Sequence, residues 1–304
     1  MHIPESMLQG SICPVTAVIG AVGVVAACHF AGKVQEKPTA SRFGAVAALI
    51  FAGQMMNFPI MHGTSGHLLG GVLASSMLGT PFGVLAMAVV VAIQSLVFAD
   101  GGVSALGANI LNMAFIGTGA GGLLRSALAD KLRGNAGKLV ATAVSAWMSV
   151  VLAAFAVAVQ LAVDGQIAFF EVVPAMLGTH SLIGLGEAAI TLAGCALVSE
   201  TTVAGNARGK VAIPFVTALL VALLLSPFAS GLPDGLEWVA KNYGFLHESA
   251  PVFVTPLADY SVPLIGNEAL STGLAGAVGV LLTFALASMI LRGVVAFSSR
   301  RTIS

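Results

Sequence analysis

Apolar residues run through this chain in long blocks, and polar residues gather in the gaps between them. A helix that crosses a bilayer needs about 20 predominantly apolar residues. Blocks of that kind cover 12–32, 43–61, 81–99, 104–124, 139–163, 173–198, 211–230 and 269–291. One further apolar stretch, 66–79 (GHLLGGVLASSMLG), is short for a crossing and reads as a short span or a re-entrant segment. The pattern predicts an all-α polytopic membrane protein. The basic residues choose between the two counts. Lys33, Lys37 and Arg42, then Arg125, Lys131, Arg133 and Lys138, then Arg208 and Lys210, then Arg292, Arg300 and Arg301 hold all of the 13 Lys and Arg except Lys241. Such clusters favour the cytoplasmic side, and all of them fall there only if 66–79 crosses. The expectation is therefore about nine spans, with the N-terminus outside and the C-terminus inside.

The one long polar stretch, 231–268, then lies outside. It carries Asp234, Glu237, Glu248, Asp259 and Glu268 against a single Lys. Pro233-Asp234-Gly235 reads as a turn, and Trp238 and Tyr260 suit a membrane interface. The polar break SETTVAGNARGK (199–210) is the best internal boundary. It divides a seven-span part, 1–205, from a two-span hairpin with an outer loop, 206–304.

Composition agrees. Charged residues are 9% and hydrophobic residues 57% of 304, with 36 glycines, whereas a soluble domain carries roughly 25% charge. Mean hydropathy is +0.98. A net charge of zero gives no support to nucleic acid as a partner. Cys13, Cys28 and Cys195 form no C-x-x-C pair and read as small core residues. The opening MHIPESMLQG lacks a basic n-region and a small-residue cleavage motif, so it is not expected to be a signal peptide.

Six histidines carry most of the chemistry on offer. His2 follows the first residue directly. The α-amine of Met1, the amide nitrogen of His2 and its imidazole can close two fused chelate rings around one ion. A plane of four nitrogens suits Ni(II) or Cu(II); the plain alternative is a frayed, solvated end. The second cluster is NFPIMHGTSGHLLGG, Asn57 to Gly71, in which His67 opens the short span on the same expected side as His2. Its glycines let the backbone approach something closely, and Thr64 and Ser65 add hydroxyls. His62 caps the preceding span as readily as it binds a ligand, and no H-E-x-x-H occurs. In HSLIGLGE, His180 and Glu187 share a helix face about 10.5 Å apart along the axis. An acid within a span is a functional candidate; a helix-to-helix hydrogen bond is the alternative. Gln94, Asn109 and Asn112 flank Asp100-Gly101-Gly102 and either orient ligands or tie helices together. Small residues four apart in the first span, Ala17 with Ala21 and Gly23 with Ala27, fit a close-packing face.

MHIPES, NFPIMHGTSGHLLGGVL (57–73), FADGGVSALGANILNM (98–113) and HSLIGLGEAAIT (180–191) together resemble the CbiM/NikM family. These are the substrate-capture (S) subunits of nickel and cobalt energy-coupling-factor transporters. The resemblance spans about residues 1–205, and SPFASGLPDGLEWVAKNYGF (226–245) resembles the small PDGLE-containing CbiN/NikN-type subunit, here fused to it. The resemblance implies seven spans with the terminus tucked into the bundle. It implies a metal site made by the amine of Met1, the backbone nitrogen and ring of His2, and His67. Thr64, Ser65, Asn109, Asn112, His180 and Glu187 are then candidates to orient those ligands. It implies no catalysis and no prosthetic group, with Ni(II) or Co(II) bound as cargo. The implied partners are a transmembrane coupling (T) protein and two cytoplasmic ATPase subunits, in a prokaryotic plasma membrane; no G-x-x-x-x-G-K-[ST] occurs in this chain. Pro4-Glu5-Ser6 departs from the family's usual start, which bears on how the terminus folds back. A self-sufficient secondary metal carrier, with a proton relay through Glu187 and His180, is the competing expectation.

Overall fold

The computed structural model describes residues 1–8, 10–203, 208–246 and 255–301, with the side chains of 62, 198–203 and 296–301 left out. Glu248, expected in the outer loop, lies outside the described residues, as does the side chain of His62. The chain is helical nearly throughout. Helices α1 (Ile12–Lys33), α2 (Ala40–Gln54), α3 (Gly71–Leu78) and α4 (Thr80–Phe98) come first. A continuous helical run follows: α5 (Leu106–Asn109), wider π-type turns over Ile110–Ala120, then α6 (Gly121–Lys131). Then come α7 (Gly134–Val163), α8 (Phe169–Val203), α9 (Gly209–Leu220), a short α10 (Gly235–Asn242) and α11 (Glu268–Arg301).

Six of these helices are long and apolar enough to cross a membrane: α1, α4, α7, α8, α9 with its extension to Phe228, and α11 up to Val295. The apolar blocks thus become helices because in lipid every backbone N–H and C=O must be paired within its own segment. Their exposed faces carry large apolar side chains, such as Val18 and Val22 on α1 and Leu281 and Ile290 on α11. Lipid is the solvent for those faces.

Three of the nine expected spans are not among these six, and one of them, the block 104–124, is instead the run of α5, π-type turns and α6. The block 43–61 stays helical only to Gln54, because Asn57–Pro59 forms a strand, β1, paired antiparallel with β2, Ser65–His67. Pro59 has no amide hydrogen to give a helix, and Gly63 turns the hairpin at φ +76°. The stretch 66–79 is likewise not one helix. Its first residues belong to β2, Gly70 takes φ +77°, and only the 8 residues of α3 are helical. Eight residues rise about 12 Å, well short of a hydrocarbon core of about 30 Å. The segment still changes ends. Arg42 at the start of α2 donates to the Met77 carbonyl at the end of α3, so the hairpin and the end of α3 lie toward opposite ends of the bundle.

The second part of the chain does not stand apart as a free hairpin. α9 and α11 both pack on α2, and α10 packs on α8. The small residues of α1 also serve the fold: Gly23 meets the Phe115 ring and Gly20 meets Gly107, both in the same bundle, while Ala17 and Ala21 stay exposed.

Candidate metal centre

The first eight residues are drawn inside the bundle; Met1 is 5% exposed, His2 7% and Ile3 fully buried. Three contacts hold them there. Asn109 accepts from the Ile3 amide (2.8 Å) and donates to the Ile3 carbonyl (3.1 Å), so one side-chain amide serves both backbone groups. The Gly102 amide donates to the same carbonyl at 2.9 Å. Gly102 has no side chain for a reason: a Cβ there would lie 2.5 Å from the Glu5 amide nitrogen. Glu5 accepts from the Val103 amide at 3.1 Å, which gives the unusual Pro4-Glu5-Ser6 start an anchoring role.

This anchoring delivers the terminal amine to His67. Met1 N lies 2.6 Å from His67 Nε2. His67 Nδ1 is 3.0 Å from the Leu68 carbonyl, so Nδ1 carries the hydrogen and Nε2 keeps its lone pair toward the amine. Burial first, then the positive amine and His2, lower the His67 pKa to about 3; the ring is neutral at any physiological pH. The His2 and His67 rings lie 5.3 Å apart and nearly parallel, 19° between planes.

Two carboxylates face this nitrogen cluster. Asp234 Oδ2 accepts from the Met1 amine at 2.6 Å and lies 3.8 Å from His67 Nε2. Its Oδ1 caps α10 by accepting from the Leu236 and Glu237 amides, both at 2.8 Å. Asp100 Oδ1 lies 3.1 Å from His2 Nδ1, and its Oδ2 accepts from the Tyr260 hydroxyl at 2.6 Å. Burial alone would raise both carboxyls. For Asp234 the amine and His67 outweigh it, and for Asp100 His2 and Tyr260 do, holding both well below the usual carboxylate range. Burial first, then Asp100, push the Tyr260 hydroxyl up, so it stays a donor. Two carboxylates thus flank the nitrogen cluster, a suitable environment for a divalent cation.

The expected ligands Met1, His2 and His67 are thus side by side. Among the described residues no group of three or more His, Cys, Asp or Glu side chains has the form of a metal site; this cluster relies on backbone nitrogen as well. Both His2 ring nitrogens are engaged, Nδ1 by Asp100 and Nε2 by Gln94 Oε1 at 3.1 Å. Closing a chelate with Met1 through Nδ1 requires the Asp100 contact to be given up.

The orienting candidates divide. Asn109 does hold the terminus, as described. Asn112 does not: it exchanges two hydrogen bonds of 2.8 Å with Gln160 of α7, and being a further turn along the helix it faces that neighbour. Thr64 and Ser65 do not reach the histidines. The Ser65 hydroxyl donates to the Leu232 carbonyl (2.8 Å), the Thr64 hydroxyl lies 3.2 Å from the Pro233 carbonyl, and the Ser65 amide donates to Pro233 (2.8 Å). They clasp the Pro-Asp-Gly turn onto β2 and so place Asp234. Glu187 accepts from the Leu69 and Gly70 amides at 2.6 and 2.9 Å, fixing the backbone just after His67. His180 turns its Nδ1 to the Met176 carbonyl, 2.8 Å away, while its ring lines a small cavity beside Met1, His67 and Asp234. His180 and Glu187 thus have different partners, and no hydrogen bond joins them among the described residues. Asp234 and Tyr260, read as turn and interface residues, belong to the site instead. Only the acidity of the Pro-Asp-Gly turn hinted at this.

The fold and this cluster define a multi-pass helical membrane protein whose buried N-terminus lies in a nitrogen-rich, anionic pocket suited to a transition-metal cation. Residues 2–204 match the family model described as the cobalt uptake substrate-specific transmembrane region, and residues 208–295 match the PDGLE domain. The chain belongs to that family, a family of nickel and cobalt transport proteins. It is 34% identical over 295 residues to the putative fused nickel transport protein NikMN of Archaeoglobus fulgidus, covering 94% of this chain and 96% of that one. It is 37% identical to a putative metal transport protein of Haloquadratum walsbyi over 63% of this chain and 86% of the other. A crystal structure of a truncated transition-metal transporter superposes with a TM-score of 0.59 at 28% identity, covering 66% of this chain and 99% of that one.

Proposed function

We propose that this chain is the substrate-binding membrane component of an ATP-driven energy-coupling-factor importer for nickel or cobalt. The ion is held by the Met1 amine, the His2 amide nitrogen and ring, and His67 Nε2. The observation that carries this reading is the terminal amine 2.6 Å from a buried imidazole lone pair. Loading exchanges protons for the ion. The amine gives up one proton and the His2 amide another, so at these two atoms a dication replaces two protons. That balance avoids leaving an uncompensated buried charge.

In this reading residues 1–205 capture the metal, and 206–304 form the PDGLE unit that supplies Asp234 to the pocket. The basic clusters face the cytoplasm, the pocket opens to the outside, and a transmembrane coupling protein with two ATPase subunits drives transport. The self-sufficient carrier lacks an observation in its favour, since His180 and Glu187 have separate partners. Nickel uptake by cells expressing this chain, alone or with its coupling and ATPase partners, decides between them. Uptake is expected only with the partners; uptake by this chain alone, driven by a proton gradient, would overturn the proposal.

A further inference from the structure

His180 is 1% exposed, inside α8, and about 16 Å along it from Phe169. Its Nδ1 carries the hydrogen that the Met176 carbonyl accepts at 2.8 Å, which leaves Nε2 as a bare acceptor. That Nε2 has no hydrogen-bond partner among the described residues. A buried unsatisfied acceptor is destabilising, so a purely structural histidine here is a poor use of a helix position where Leu or Phe would fill space without penalty.

The environment says what the lone pair is for. His180 lines a cavity of about 10 Å³ together with Met1, His67 and Asp234, its remaining wall being apolar or glycine, as at Leu69, Val150 and Ile183. That is about the space one water-sized sphere needs, and a divalent metal ion is smaller than a water. Gly235, next to Asp234, keeps the opening clear, since a Cβ there would lie 3.1 Å from His180 Nε2. The cavity is therefore bounded by an amine, two imidazoles whose Nε2 atoms are both unprotonated, and a carboxylate. A neutral imidazole nitrogen whose partner nitrogen is pinned to a backbone carbonyl is a common arrangement for a metal ligand.

We propose that His180 Nε2 is a second, transient ligand for the transported ion, bonding it as it enters and leaves the Met1–His2–His67 nitrogens. The inference rests on the capture reading above. A ligand on the route lowers the barrier in both directions. It speeds loading and release together and leaves the affinity of the capture site nearly unchanged.

The test uses the full-length chain with its native N-terminus, Ni²⁺ as the probe, and stopped-flow release into a chelator alongside equilibrium binding. His180→Gln retains a donor for the Met176 carbonyl but presents no nitrogen lone pair; His180→Leu removes both. Both variants are expected to hold Ni²⁺ within about threefold of the parent affinity, while loading and release each slow about tenfold or more. Exchange rates equal to the parent's would overturn the proposal. So would a changed affinity caused by release alone, which is what a bridging water or a packing role predicts. If the parent chain binds no Ni²⁺, the capture reading itself fails. Normal binding with unaltered exchange in both variants removes only the role of His180.

Discussion

Two buried polar clusters, separated by less than one helical turn along the 106–120 run, behave in opposite ways. Asn112 and Gln160 form a closed pair, each amide donating to and accepting from the other. Asn109 instead opens onto the terminal segment, and beyond it lie an amine, two imidazoles and two carboxylates whose contacts include exchangeable ones. Both clusters are polar and deep in an apolar bundle. What separates a site from a strut is the presence of charge and of lone pairs that a cation can claim. In the strut each amide oxygen meets an N–H of the other, and no charge is present for a cation to claim.

That contrast ranks the expected effects of substitution. His67→Ala removes a proposed ligand outright, and nickel affinity should fall by more than the roughly 10–100-fold typical of losing an orienting residue. Isothermal calorimetry on the purified protein measures it, and parent-like affinity would place the site elsewhere. Asn109→Ala keeps every ligand but frees the Ile3 backbone, so affinity should drop by about 10–100-fold. A tight complex in that variant would show that the terminus needs no such anchor. Replacing both amides of the strut, Asn112→Leu with Gln160→Leu, should leave affinity unchanged. Substituting both partners of a buried polar pair is often close to neutral in stability, so thermal unfolding should shift little. A loss of nickel binding in the double variant would erase the distinction drawn above.

Much of this was legible in the sequence, and the limits are physical. Apolar blocks such as 139–163 announce helices because lipid leaves the backbone no other partner. Met1 and His2 offer chelating nitrogens next to one another, and their joining with His67 in one site is what the resemblance to the CbiM/NikM family implies. Asp234 did not, since a Pro-Asp-Gly turn looks the same whether it lies in water or is clasped onto Ser65. Tyr260 reached Asp100 only through tertiary packing, stacked on Phe98 with ring centroids 4.8 Å apart. Asn112 carried the same residue type as Asn109 three positions earlier, and only its rotation around the helix gave it a different partner. The 66–79 stretch was apolar enough for a helix, but pairing of β2 with β1 takes its first residues, and the positive φ of Gly70 delays the helix until Gly71.

The central claim is that the first nitrogen of the chain is a metal ligand, and one added residue tests it directly. A single amino acid placed before Met1 turns the amine into a peptide nitrogen and puts new atoms where Met1 N meets His67 and Asp234. Calorimetry with Ni²⁺ on the native chain should show one ion bound with release of protons, about two per ion if both the amine and the His2 amide coordinate. The extended chain should show no high-affinity binding, while a tag at the C-terminus should change nothing. Undiminished affinity in the N-terminally extended protein would contradict the account.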